Sequence, residues 1–132
     1  MTSLEISLVL ASQDPKKLAE FYAFVINGEV HLGFNNKNYR VLSQNGLIIE
    51  TYLPSQQKPL PSKGKASSYC FTGLPSKNPL IKIKEWCSEL INQGAVVVEN
   101  PVIESFGAEA WMADPEGNQF LILIPMQQDC QI

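Results

Sequence analysis

Glu50 is the residue whose sequence surroundings most clearly indicate a functional role. It lies in the apolar stretch LIIETYL (47–53), where a carboxylate needs a partner because burying an unpaired charge is unfavourable. The turn Gln44-Asn45-Gly46 joins this stretch to NYRVLS (38–43), and counting outward from the turn pairs Glu50 with Arg40. Glu50 could therefore be a general base, an anchor for a cationic or hydrogen-bonding ligand, or the partner of Arg40 in a cross-strand ion pair.

The other candidate residues suggest less specific chemistry. Arg40 could receive a carboxylate or phosphate of a ligand, since its planar guanidinium suits such groups. His31 is the only histidine, and we interpret it as a surface or packing residue although histidine is a common acid–base catalyst. Cys70, Cys87 and Cys130 form no CxxC pair, so neither a disulfide framework nor a zinc site is predicted. We interpret Cys70 and Cys87 as core residues.

These residues are positioned by a pattern that occurs twice. In residues 1–53, a strand (LEISLVLA) precedes a helix that Asp14 caps and Pro15 opens, with Gly28 as the expected left-handed residue after it. Three strands follow: EVHLG, NYRVLS and LIIETYL.

A stretch rich in Pro, Ser, Lys and Gly (54–66) is predicted to be a linker, after which the pattern restarts. In residues 67–126, the strand SSYCFTG precedes a helix that runs from the Asn78-Pro79 opening to Gly94. Three more strands, AVVVEN, AEAWMAD and NQFLILI, follow, and 127–132 is a tail. The sequence thus predicts one domain over 1–132, built from two βαβββ modules.

The turn Asp114-Pro115-Glu116-Gly117-Asn118 predicts a hairpin with Gly117 in the left-handed conformation. Counting outward pairs Trp111 with Leu121, as the earlier turn pairs Arg40 with Glu50. The repeat therefore makes Leu121 the counterpart of Glu50, and Trp111 the counterpart of Arg40.

The segments DPEGNQFLIL and DPKKLAEFYAFVING resemble the signature hairpin and first helix of the glyoxalase/bleomycin-resistance/dioxygenase superfamily. The resemblance implies the α+β vicinal oxygen chelate fold, in which two βαβββ modules form a cleft lined by curved mixed sheets. Because such clefts are often completed by a second subunit, it also implies a homodimer. The fold hosts isomerases, lyases, dioxygenases and non-catalytic binders, so it does not fix the reaction.

The resemblance also indicates where a metal would bind. Metal-dependent members carry a ligand on the first and last strand of each module, which here means Ser7, Glu50, a position near Ser67, and Leu121. Only Glu50 is a competent ligand, because leucine cannot coordinate and a neutral serine hydroxyl is a poor ligand. We therefore predict no metal and no other cofactor.

The leading hypothesis is a protein that binds a small organic ligand in a metal-free cleft. The residues expected to line it are Ser7, Val9, Arg40, Glu50, Tyr52, Ser67, Tyr69, Trp111, Leu121 and Leu123. One alternative is a glyoxalase-type lyase or isomerase, or a dioxygenase, that uses Glu50 as a catalytic base or holds a divalent metal in an atypical site with His31. Another is a structural or regulatory subunit with a vestigial cleft.

The net charge and the distribution of apolar residues limit the classes of binding partner. The formal net charge is -3 and no run is strongly basic, which disfavours a nucleic-acid binder. No apolar run approaches the ~18 residues of a membrane span, and the first residues lack the pattern of a secretory signal. We therefore expect a cytoplasmic protein that binds neither nucleic acid nor membranes.

Overall fold

The computed structural model describes residues 5–33, 37–56 and 68–128. The chain divides into two compact units, residues 1–63 and 64–132. Each unit contains one four-stranded mixed sheet and one long helix. The prediction of an α+β fold with a repeated βαβββ module is confirmed.

Unit 1 contains five elements, which are β1 (Ser7–Ala11), α1 (Pro15–Ile26), β2 (Glu29–Leu32), β3 (Tyr39–Leu42) and β4 (Ile48–Tyr52). The strand order is β1-β4-β3-β2, so the first strand lies beside the last. β1 and β4 are parallel, and the other neighbours are antiparallel.

Capping interactions at its two ends determine where α1 begins and ends. The Asp14 carboxylate accepts a hydrogen bond from the Lys17 backbone N–H at 3.2 Å, and Pro15 occupies the first turn. At the other end Asn27, with φ of 53°, is the left-handed residue, so the expectation for Gly28 was wrong. Gly28 has a different role, because a Cβ there would lie 2.6 Å from the Leu42 carbonyl oxygen. The helix end therefore approaches β3 closely.

The core of unit 1 lies between α1 and one face of its sheet. Leu18, Phe21 and Tyr22 of the helix are buried, as are Val41 and Ile49 of the strands. The hydroxyl of Thr51, also buried, donates to the Pro15 carbonyl at 2.8 Å and ties β4 to the start of α1. Because strand residues alternate between faces, the residues between these core positions lie on the opposite side, here called the helix-free face.

Unit 2 repeats the plan with β5 (Cys70–Thr72), α2 (Pro79–Asn92), β6 (Val96–Glu104), β7 (Gly107–Ala113) and β8 (Gln119–Pro125). The order is β5-β8-β7-β6, with β5 and β8 parallel. β6 is longer than predicted, and its pairing with β7 shifts register on both sides of Glu99. Such irregularities bend an edge strand.

The opening of α2 differs from that of α1. Asn78 makes no side-chain cap, although Pro79 again occupies the first turn. Instead the Ser76 hydroxyl accepts from the Asn78 N–H at 2.9 Å, just as the Ser12 hydroxyl accepts from the Asp14 N–H at 3.0 Å. The helix ends at Asn92, two residues before the predicted closing residue Gly94, whose φ of 106° is left-handed.

The core of unit 2 lies between α2 and the strands β7 and β8. Ile83 and Leu90 of the helix are fully buried, as are Met112, Phe120 and Ile122 of the strands. The alternating residues of β7 and β8 therefore form the helix-free face of this sheet. Neither helix in the described residues has the length and apolarity of a membrane span.

The Asp114–Asn118 turn is built around a buried carboxylate. Asp114 is 2% exposed and accepts from the backbone N–H groups of Glu116 at 2.8 Å and Asn118 at 3.0 Å. Its other oxygen accepts from the Asn118 side-chain amide at 2.8 Å. Gly117, with φ of 90°, confirms the predicted turn conformation. The role of this turn is therefore structural, and it fixes the register of β7 against β8.

Candidate functional site

The helix-free face of unit 1 carries a row of four side chains across its sheet, three of which are polar. The observed register pairs Val9 with Glu50, Glu50 with Arg40, and Arg40 with His31. Paired residues share a face, so all four side chains lie on the same side of the sheet. The predicted pairing of Arg40 with Glu50 is thus confirmed.

Glu50 is held by two neighbours. Its Oε2 accepts a hydrogen bond from the Ser7 hydroxyl at 2.6 Å, and its Oε1 lies 3.1 Å from the Arg40 Nε. The side chains of Arg40 and Glu50 are only 20% and 21% exposed. Arg40 also forms an ion pair through Nη2 with Glu5, which precedes β1 in the chain. The four residues Glu5, Ser7, Arg40 and Glu50 form what we call the Glu50 network.

This network limits what Glu50 can do. A general base needs a carboxylate oxygen that a substrate proton can reach, but here Oε2 accepts the Ser7 hydroxyl and Oε1 lies against the Arg40 guanidinium. The same contacts hold the side chain in one orientation on the helix-free face. The geometry is that of a positioned anion, which suits a binding surface better than proton abstraction.

Two further predicted residues of unit 1 share this face. Val9 is 56% exposed and lies beside Glu50 in the register, while Tyr52 is two residues beyond Glu50 on β4 and half-buried. His31, at the end of the row, lies 3.4 Å from the Glu29 carboxylate through Nε2, and both side chains are at least half exposed. This supports the interpretation of His31 as a surface residue.

The helix-free face of unit 2 has the same geometry but different chemistry. The register pairs Cys70 with Leu121, Leu121 with Trp111, and Trp111 with Glu99. Leu123 follows Leu121 on the same face. Trp111, Leu121 and Leu123 are each half-buried. The predicted pairing of Trp111 with Leu121 is confirmed, and the positions held by Arg40 and Glu50 in unit 1 are aromatic and apolar in unit 2.

The structure places Tyr69 on the other face, contrary to the prediction that it lines the ligand-binding surface. Its ring stacks on Phe71 at 5.3 Å between centroids, and Phe71 contacts the buried Phe120 edge-on at 5.6 Å. Tyr69 therefore belongs to the helix side of the sheet, where burial raises the pKa of its phenol above the usual 10.0. A residue on that side cannot line the same surface as Trp111.

Cys70 takes the place that was expected for Tyr69. It is exposed and lies opposite Leu121, so the prediction of a core cysteine was wrong for Cys70. Cys87 is buried as predicted, and burial raises the pKa of its thiol. Ser67 lies outside the described residues. By the register, the counterpart of Ser7 is the neighbouring Ser68, because Cys70 matches Val9.

The residues at the metal positions that the resemblance implies do not fit a metal ion. Leu121 has no donor atom, Ser7 and Ser68 offer neutral hydroxyls, and an arginine guanidinium lies beside Glu50, the one carboxylate. Within residues 5–33, 37–56 and 68–128, no three His, Cys, Asp or Glu side chains are grouped closely enough to hold a metal.

Acidic residues that were not predicted also lie on these faces. Glu5 belongs to the Glu50 network, and Glu99 and Glu109 flank Trp111. Glu109 had a recognisable signal, since it lies two residues before Trp111 on a predicted strand and so shares its face. Glu99 could not be placed, because its position depends on the register shifts in β6.

Comparison with solved structures identifies the fold. A glyoxalase/bleomycin resistance protein/dioxygenase family enzyme from Burkholderia phytofirmans matches with a TM-score of 0.70 at 16% identity, over 91% of this chain and 97% of that one. A glyoxalase/bleomycin resistance protein from Albidiferax ferrireducens matches with a TM-score of 0.64 at 18% identity, over 89% and 95%.

A third match is a mutant of the fosfomycin resistance protein FosX from Listeria monocytogenes, in complex with Mn(II) and a dihydroxypropylphosphonic acid. Its TM-score is 0.64 at 17% identity, and the match covers 96% of this chain and 92% of that one. No protein-family model and no curated protein matches the sequence. The structural matches show a common fold, and at these identities they show no more than that.

Proposed function

The chain has the vicinal oxygen chelate fold of the glyoxalase/bleomycin resistance/dioxygenase proteins, and we propose that it binds a small organic ligand on its helix-free faces without a metal ion. The observation that carries this proposal is the Glu50 network. Glu50 is the one competent ligand among the four family positions, and it is bound by Ser7 at 2.6 Å and lies 3.1 Å from the Arg40 Nε. A guanidinium at that distance disfavours a second cation on the same carboxylate.

The remaining surface suits binding. In unit 2 the counterpart of Glu50 is Leu121, and the counterpart of Arg40 is Trp111. An aromatic side chain with neighbouring leucines provides apolar contact area, and the Glu50 network provides fixed polar groups.

The first test is the metal content of protein purified without a metal-affinity tag. Elemental analysis should find no stoichiometric transition metal, and added Mn²⁺, Ni²⁺, Zn²⁺ or Fe²⁺ should leave the melting temperature unchanged. A ligand that binds only the folded protein raises its stability by linkage, so a specific rise with one metal would overturn the metal-free proposal. The variant Glu50→Gln serves as the control, since a metal held elsewhere would shift its melting equally.

A second measurement separates binding from catalysis. Glu50→Gln keeps the size of the side chain but removes its charge. If Glu50 were a catalytic base, this variant would abolish turnover of any substrate that the protein converts. If the protein is a binder, the variant changes only the affinity for a retained ligand, and we expect that result.

We also propose a homodimer, because proteins of this fold often complete their ligand sites with a second subunit. Sedimentation equilibrium over a range of concentrations tests this directly. A mass equal to one chain at every concentration would contradict it.

A further inference from the structure

The sheet of unit 2 has a one-sided charge pattern. Its four strands contain three glutamates, Glu99, Glu104 and Glu109, and no lysine, arginine or histidine. The register pairs these residues with Trp111, Gly107 and Leu123 respectively. Since paired residues share a face, all three carboxylates lie on the helix-free face with Trp111.

These carboxylates differ from those of unit 1. There, Arg40 compensates both Glu5 and Glu50. The ion pairs of the described residues instead involve Glu5, Glu29, Glu50 and Glu85, so none of them neutralises the unit 2 face. Among the residues that the structure describes, this face therefore combines an aromatic ring, two leucines and carboxylates that form no ion pair.

Two of the glutamates flank Trp111 directly. Glu99 is its cross-strand partner, with a Cβ separation of about 5 Å for such pairs. Glu109 lies two residues before it on the same strand, about 7 Å away by strand geometry. An indole ring attracts a cation over its face, and adjacent carboxylates strengthen that attraction.

We propose that the helix-free face of unit 2 binds an organic cation, in which an ammonium or guanidinium group is attached to an apolar or aromatic body. Glu99 and Glu109 neutralise the charge, Trp111 takes the cationic group or ring against its indole, and Leu121 and Leu123 contact the body. The inference rests on the proposed binding function and names the class of its ligand by charge complementarity.

Three small probes of similar size test the inference: benzyltrimethylammonium, benzyl alcohol and benzenesulfonate. The chain has two tryptophans, Trp86 and Trp111, so the Trp86→Phe variant makes Trp111 the single fluorophore. Titration of each probe into this variant, followed by Trp111 fluorescence, gives the affinities. The indole N–H signal in a proton NMR spectrum of the wild-type protein provides the same readout if Trp86→Phe is poorly folded.

We expect the cation to bind about tenfold more tightly than the neutral probe and the anion to bind weakest. Glu109→Gln and Glu99→Gln should each weaken cation binding about threefold to fivefold, with little effect on benzyl alcohol. Glu89→Gln, on exposed α2, removes the same charge away from this face and should change nothing. Added salt should lower the affinity for the cation alone.

The outcomes separate the inference from the proposed function. Equal affinity for the cation and benzyl alcohol, or equal weakening by Glu89→Gln and Glu109→Gln, would overturn the cation inference while leaving an aromatic-binding face. Absence of any response to all three probes would also overturn it. The proposed function would fail instead through the metal measurements, which do not involve Trp111.

Discussion

The strongest energetic prediction concerns the pair Arg40–Glu50. We consider a cycle of Arg40→Met, Glu50→Leu and the double variant, in which the pair becomes apolar like its counterpart in unit 2. Each single change leaves a charge about four-fifths buried beside the site of its lost partner. Breaking a fully buried pair costs about 3–5 kcal/mol, and exposed pairs contribute at most about 1 kcal/mol. For this exposure we expect each single variant to lose about 2 kcal/mol.

The double variant should lose less than the two single variants together. Replacing both partners by apolar side chains of similar size removes the unpaired charge, and such replacements are often close to neutral. The residual loss should come from Glu5 and Ser7, which lose their partners, and amount to about 1–2 kcal/mol. The coupling energy in the cycle is then about 2–3 kcal/mol.

Urea unfolding followed by far-UV circular dichroism measures these free energies. Both tryptophans lie in unit 2, so fluorescence provides a second probe that reports on that unit alone. Coincident transitions justify a two-state treatment. The control is the pair Lys82–Glu85, at 3.8 Å with side chains 59% and 60% exposed, for which coupling should fall within error. A coupling energy for Arg40–Glu50 below about 0.5 kcal/mol would refute the reasoning, because the two sites would then be additive.

Three further predictions follow from buried groups and close contacts. Asp114→Ala should destabilise the protein by about 3 kcal/mol in urea unfolding, because two backbone N–H groups and the Asn118 side-chain amide lose their acceptor. The control is Glu89→Ala at an exposed acidic residue, which should change the free energy of unfolding by less than about 0.5 kcal/mol. Gly28→Ala should cost about 1–3 kcal/mol, since its Cβ would lie 2.6 Å from the Leu42 carbonyl oxygen, and an unchanged unfolding midpoint would contradict that contact. Burial raises the pKa of Tyr69 in the folded protein above its usual 10.0. The neutral phenol therefore contributes its full stability below pH 10, and this contribution declines at higher pH because the unfolded chain ionises first. Tyr69→Phe should flatten the alkaline decline of the unfolding free energy, and an identical decline in both proteins would contradict this.

Much of the fold could be predicted because its strongest signals are local. The pairings Arg40–Glu50 and Trp111–Leu121 follow from counting outward from Gly46 and Gly117, since a tight turn fixes the register of the strands it joins. Proline at the start of each helix and the spacing of apolar residues likewise act over a few residues. These local signals were sufficient to predict the order of strands and helix in both modules.

The errors fall where no local rule applies. β5 pairs with β8 in parallel over a long sequence separation, so no turn fixes its register. Tyr69 and Cys70 were therefore predicted on the wrong faces of the sheet. Asn27 rather than Gly28 ends α1, because asparagine also tolerates the left-handed conformation and glycine is needed one residue later for a close approach. The network around Glu50 extends to Glu5 of the predicted strand LEISLVLA, but Glu5 reaches Arg40 only because β1 pairs with β4 across a long sequence separation.

The placement of β1 beside β4 also has a consequence for synthesis on the ribosome. Val9 emerges well before its partner Glu50, so β1 leaves the exit tunnel before the strand that completes its ladder exists. Until then the Ser7 hydroxyl has no Glu50 carboxylate, and the exposed Leu8 and Val9 border an unpaired strand edge of the kind that favours association between nascent chains. The second module repeats this order with β5 and β8. Each half of the protein therefore closes its sheet with the last strand translated, and slow translation just before β4 or β8 would prolong the interval in which nascent chains can aggregate.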